Sequence, residues 1–344
     1  MAEDFKTNNF DLLRILAATQ VVLVHSAAHL GLGRPAGLSL VEAFPGVPIF
    51  FAISGFLISA SFERSRDVRS YARNRMLRIY PGLWCVVLAT VLVAALFGFG
   101  FLHLRALAWL VCQMGGFIYT PGFLRRFGMG SYNGALWSIP IELQFYFLLP
   151  FFYLGVIRTE RSRTLVFAAT WLVFVVAAFL LAIGDSAIEA FHPKLLYYSF
   201  IPHIYLFLTG VLLQRWNAQR SRWIVGKGLL WVAIYLVVHF TVPWGVNRIF
   251  GPIVMAVATV STAYTLPGLS QRLLRGNDIS YGVYIYHGLI INILVELGYK
   301  GRLFYVPVVL VLTMVAGWLS WRFIERPFLR RKRHALHAIP GGSA

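Results

Sequence analysis

Charged side chains are scarce in this chain, and negative ones are scarcest. Only 13% of the 344 residues are charged, with 13 acidic residues against 31 Lys and Arg. Soluble globular chains carry about a quarter charged residues, so a water-bathed surface on every side is excluded. Cysteine is nearly absent: Cys85 and Cys112 both lie in apolar stretches. They form no CxxC or metal spacing, so no disulfide framework and no metal site is expected. GxSxG, HExxH, Walker A and a usable GxGxxG are all missing, which leaves hydrolase, metalloprotease and nucleotidase readings without support. There is no internal repeat of the kind many transporters carry, and no low-complexity segment.

What remains is apolar. Hydrophobic residues make up 58% of the chain and the mean hydropathy is +0.70. The reading is an all-α, polytopic membrane protein. Apolar runs fall near 11–30, 44–62, 79–101, 106–120, 136–157, 165–183, 197–214, 228–243, 249–267, 279–297 and 303–324. A helix needs about 20 residues to cross the hydrocarbon. The net charge of +18 is not a nucleic-acid signal, because the basic residues sit in short clusters between apolar runs. Such clusters mark cytoplasmic loops. No soluble basic face for nucleic acid is visible.

These clusters set the topology. They occupy 63–78, 158–163, 214–222, 271–276 and 326–333. If all eleven runs spanned, 158–163 would land opposite 63–78. Dropping the short 106–120 run, which GGFIYTPGF follows, repairs this. Residues 102–135 are therefore read as an outer-side re-entrant or interfacial segment, tolerated where protein buries it or where it lines a cavity. About ten transmembrane helices remain, with both termini cytoplasmic and 23 of the 31 basic residues on the inner side. Residues 1–334 form one membrane domain and 335–344 a disordered tail. The first run makes a poor cleaved signal peptide, because Asp11, Arg14 and His25 interrupt it.

Ionisable residues at membrane depth are costly and point to function by default. In FDLLRILAATQVVLVHSAAHLG (10–31), His25 follows Arg14 by eleven residues. That is about 16 Å along a helix and roughly three turns, so the two share a face. His25 is either a reactive base or a histidine bonded to a neighbouring helix. Asp11 can pair with Arg14 three residues on. Arg75 and Arg78 in RNRMLRIYPG suit a phosphate, or else anchor the helix in lipid headgroups. Glu142, in NGALWSIPIELQFYFLLP, can orient a histidine, position a substrate hydroxyl or form a structural salt bridge. His287, with Tyr281, Tyr284 and Tyr286 nearby, suits a proton relay or a packed polar network. Arg322, Glu325 and Arg326 read as a structural clamp.

Taken together, these pieces resemble the acyltransferase-3 family of integral-membrane acyltransferases, from about residue 8 to residue 330. The first helix has the family's basic residue, ten residues and then histidine, as Arg14 and His25, with Asp11 before them. FFAISGFLIS (50–59) is similar to its second helix, with Ser54–Gly55. RMLRIYP (75–81) matches its RxxR motif, LWSIPIELQFY (136–146) its glutamate motif, and ISYGVYIYH (279–287) and FIERPF (323–328) its late motifs.

The resemblance implies an O-acyltransferase of the inner (cytoplasmic) membrane. It would move acetyl from acetyl-CoA to a hydroxyl, often on a sugar of a cell-surface or exported glycan or its lipid-linked precursor. It assigns transfer to His25 and donor handling to Arg14, Arg75 and Arg78. Glu142 becomes the second catalytic residue, with Asp11, Ser54, Tyr281 and His287 in support and no metal. Many members carry a C-terminal SGNH domain; none is read here, so direct transfer within the membrane domain is expected. The rival reading is a proton-coupled transporter with His25, Glu142 and His287 as its relay.

Overall fold

The computed structural model describes residues 8–33, 35–65, 67–117, 119–154, 159–183 and 196–337. Among these residues every regular element is helical and no strand occurs. Among the described residues seven helical runs are long and apolar enough to cross a bilayer. They are Phe10–His29, Leu38–Arg64, Val68–Leu96, Gly134–Leu154, Arg161–Ala182, Trp244–Ala263 and Tyr305–Arg331.

Three of the ten expected spans are shorter helices. Runs 197–214, 228–243 and 279–297 form Ile204–Arg215, Gly228–Thr241 and Ser280–Glu296, of 12, 14 and 17 residues. At 1.5 Å per residue they reach roughly 18, 21 and 26 Å, less than the ~30 Å of hydrocarbon. The segment expected not to span is also short. It folds as the 12-residue helix Leu104–Gly115 followed by two 3₁₀ turns, Gly122–Arg126 and Gly134–Trp137. The His103 side chain caps its start, and Gly116, with φ of 83°, ends it in the left-handed region. Of the tail expected at 335–344, the helix Arg326–His337 takes in the first three residues, and 338–344 lie outside the described residues.

The basic cluster at 63–78 holds one boundary that the apolar runs misplace. The run 79–101 belongs to a helix that begins eleven residues earlier, at Val68. The reason is a cap. The Asp67 carboxylate accepts the backbone N–H groups of Arg69 and Ser70 at 3.1 and 3.0 Å, satisfying donors that a helix start leaves orphaned. Arg75 and Arg78 therefore lie inside a long helix, before Pro81, rather than at its first turn.

The chain divides into two units. The first comprises Met1–Val21, Ser39–Arg66 and Ser138–Gly276; the second comprises Val22–Leu38, Asp67–Trp137 and Asn277–Ala344. In the first unit, Gly46–Ser65 packs against Ile204–Arg215 at very close range. A Cβ on Gly55 would strike the Phe207 carbonyl, and one on Gly210 would strike the Ala52 carbonyl. Small residues that let backbones approach are a recurrent device of membrane helices. Below this contact Glu63 takes an ion pair from Arg215 and hydrogen bonds from Gln214 (2.9 Å) and Tyr153 (3.1 Å). In the second unit, Ser280–Glu296 meets Tyr305–Ser320 through Gly282 and Gly317, where a Cβ on Gly282 would lie 2.8 Å from the Gly317 Cα.

The Gly55 contact gives a direct test. Gly55→Val should destabilise the purified protein by roughly 1–3 kcal/mol through overpacking, lowering the thermal unfolding midpoint in detergent. An unchanged midpoint would show that the two backbones are not held this close.

Candidate active site

In the second unit His25 meets His287. The His25 Nδ1 lies 3.0 Å from the His287 Nε2, and the ring centroids are 5.0 Å apart. His287 is fully buried, and its Nδ1 lies 2.6 Å from the Tyr284 carbonyl. A carbonyl only accepts, so His287 Nδ1 carries a proton. In the neutral ring its Nε2 then holds a lone pair and accepts from His25 Nδ1–H. When the His25 ring is neutral as well, its Nε2 keeps its own lone pair. The ring of His29, one turn on, packs edge-on against His25 at 5.6 Å.

The helix that carries His287 also ties down the outer segment. Asn292 donates to the Ser131 and Tyr132 carbonyls at 2.8 Å each and accepts from Met129 N–H at 2.9 Å. Asn133 reaches the Ile285 carbonyl at 2.7 Å, and Glu296 accepts from Gly128 N–H at 2.5 Å. Tyr132 in turn donates to Gln113 of the Leu104–Gly115 helix. Residues 128–133 are thus tied to the same helix as His287.

The RxxR pair lies in this unit as well. Arg78 forms an ion pair with Asp278 and a second, at 3.8 Å, with Glu325. Ser280 Oγ donates to Asp278 at 2.5 Å and Ser320 Oγ to Glu325 at 3.0 Å. The Arg78 guanidinium also stands over the Tyr281 ring at 5.9 Å. The Tyr281 hydroxyl reaches the Ile79 carbonyl at 2.8 Å, and its ring fills the space left by Gly82. Glu325 sits in a five-residue π-helical turn, Trp321–Glu325, a local widening that often marks functional positions. Arg75, half-buried, sits three residues before Arg78 on the same helix.

In the first unit Asp11 and Arg14 pair at 3.6 Å, as their spacing predicts. Glu142 accepts from Ser54 Oγ at 2.9 Å and from the Tyr146 hydroxyl. The structure therefore joins the expected site residues as Asp11 with Arg14, Ser54 with Glu142, His25 with His287, and Arg78 with Tyr281. Composition did not single out Asp278. The signal available was its position two before Ser280, a side-chain turn that starts a helix: Asp278 accepts Ser280 N–H at 3.2 Å.

The apolar helices thus carry an arginine and a histidine on the first of them, an RxxR clamp, a bonded glutamate and a hydrogen-bonded histidine pair. A family model described as an acyltransferase domain, acyltransferase-3, matches residues 7–322. The chain belongs to the acyltransferase-3 family. It is a membrane acyltransferase with several apolar helices, and the permease reading gives way to this membership. The chain is 32% identical over 354 residues to nodulation protein 10 of Rhizobium leguminosarum bv. viciae, covering 94% of this chain and 93% of that protein. It is 25% identical over 349 residues to an O-acetyl transferase of Shigella phage Sf6, covering 95% and 97%. It is also 25% identical over 354 residues to the peptidoglycan O-acetyltransferase OatA of Listeria monocytogenes serovar 1/2a, covering 93% of this chain and 55% of that protein. No solved structure matches it.

The Arg78 clamp makes its own prediction. Arg78→Met leaves two buried carboxylates without their counter-charge and should cost about 3–5 kcal/mol. Combining it with Asp278→Asn and Glu325→Gln should restore more than half of that loss in thermal unfolding. A triple variant no more stable than the single one would refute the ion-pair account.

Proposed function

We propose that the chain is an O-acyltransferase of the inner (cytoplasmic) membrane that takes acetyl from acetyl-CoA. Its acceptor is a hydroxyl of a sugar, on a cell-surface or exported glycan or its lipid-linked precursor. The family supplies the reaction class, and relatives named as O-acetyltransferases support acetyl as the group moved. The observation that carries the reading is the His25–His287 hydrogen bond, which supports His25 Nε2 as the base when both rings are neutral.

In the proposed reaction His25 Nε2 removes the acceptor's hydroxyl proton as that oxygen bonds to the thioester carbonyl carbon. The tetrahedral intermediate then expels the CoA sulfur, which takes the proton back from His25 as the C–S bond breaks. No oxidant or metal is needed for the balance. His287 is a positioning residue: its lone pair fixes the tautomer of His25, as the acid does in a catalytic triad. Arg14, Arg75 and Arg78 are assigned to the donor's phosphates. Within that set Arg78 also pairs with Asp278 and Glu325. Glu142 is the second catalytic residue, its carboxylate fixed in direction by Ser54 and Tyr146.

Acetyl-CoA binding and CoA release by the purified protein test this. His25→Ala should bind donor yet lose about 10²–10⁴ in turnover. Arg75→Ala should weaken donor binding. His287→Ala should lower kcat by less than His25→Ala while leaving the KM for acetyl-CoA unchanged. Folded wild type with no affinity for acetyl-CoA would remove the donor assignment. Full turnover in His25→Ala would remove the base.

A further inference from the structure

The last apolar helix ends in a feature that the transfer reaction does not use. An open groove of about 450 Å³ is lined by Arg322, Phe323, Arg326, Pro327 and Arg330. The three arginines recur every four residues, so they rise in steps of about 6 Å along one side of the helix. Among the described residues none of the three side chains has a hydrogen bond or ion pair. Glu325, the acid between Arg322 and Arg326 in sequence, pairs with Arg78 instead.

The apolar half of the groove continues upward. Leu312, Val315, Leu319 and Phe323 are all exposed, the last at 67%, and their spacing of three and four residues makes one stripe on the same helix. A face of this kind offers a hydrocarbon chain a track and then, one turn further, offers a phosphate a row of guanidinium forks. Arg suits phosphate in particular because its planar donors can engage two oxygens at once. A soluble phosphate would use the arginines and leave the stripe uncovered. A diacyl lipid uses both.

We propose that the Arg322–Arg326–Arg330 groove is a binding site for an anionic phospholipid, its phosphate on the arginines and an acyl chain along Phe323, Leu319, Val315 and Leu312. This site does not depend on the transfer chemistry or on any residue assigned to it. It places a lipid contact directly behind the π-helical turn whose Glu325 holds Arg78.

Native mass spectrometry of the full chain tests the site, with dioleoyl-phosphatidylglycerol or dioleoyl-phosphatidylcholine added in detergent. Phosphatidylglycerol should be retained in preference to phosphatidylcholine. Arg322→Gln/Arg326→Gln/Arg330→Gln should weaken it by roughly a hundredfold, about fivefold per charge. Arg272→Gln/Arg275→Gln, which removes charge from another cluster, should not. If the triple variant fails to fold, Arg330→Gln alone should show the fivefold loss. Saturating free CoA should leave the lipid bound. Equal retention of the two lipids overturns the proposal, as does full binding by the arginine variants. Displacement by CoA would assign the groove to a soluble phosphate instead.

Discussion

An arginine among apolar helices forces the surrounding structure to answer it. Arg78 is 19% exposed at its side chain, and its guanidinium is met by Asp278 and Glu325, which are 11% and 1% exposed. Water cannot compensate buried charge here, so pairing within the protein must. Each acid then needs its own support. Asp278 has Ser280 at the start of one helix, and Glu325 has Ser320 at the end of another. For both to reach one guanidinium, their helices must approach closely, which Gly282 and Gly317 permit. Gly82 lets the Tyr281 ring lie against the helix of Arg78 in the same way. A chain with few acids spends two of them on this one cation.

The same logic of complementary donors and acceptors governs the histidine pair. Two imidazoles whose nitrogens lie 3.0 Å apart need one N–H and one lone pair between them. Two charged rings would set N–H against N–H. The Tyr284 carbonyl decides which ring donates, because it can only accept and so claims the His287 Nδ1 proton. A backbone carbonyl one turn back on the helix thus makes His25 Nδ1 the donor of the pair when both rings are neutral.

Much of this was legible in the sequence, and for identifiable reasons. Hydropathy located the long helices because apolar length is what a bilayer selects, and the Asp11–Arg14 pair followed from helical spacing alone. The start of the RxxR helix was hidden, because a run of arginines looks like a loop until Asp67 is recognised as a cap. The run at 197–214 overreaches the helix Ile204–Arg215 at its start, because apolar residues flanking a helix carry the same hydropathy as the helix itself, whereas 228–243 and 279–297 agree with Gly228–Thr241 and Ser280–Glu296 to within two residues. The His25–His287 contact joins residues 262 apart, and no local pattern encodes such a partner. The sequence offered Glu142 as the group that orients a histidine. The structure shows Glu142 bonded to Ser54 and Tyr146, and His25 bonded to His287.

Composition treats all arginines alike, whereas pairing separates them. Arg78 and Arg215 belong to buried ion pairs and brace helices. Arg322, Arg326 and Arg330 line an open groove beside exposed apolar side chains. The positive-inside pattern predicts only that both kinds gather at helix ends. What distinguishes them is the supply of acid. With so few carboxylates in the chain, those placed near a helix end determine which arginines become internal struts. The Arg322, Arg326 and Arg330 side chains, which line the open groove, keep their charge for something outside the protein. Asp278 and Glu325 both turn to Arg78, so the basic row that follows Glu325 faces outward with its charge uncompensated.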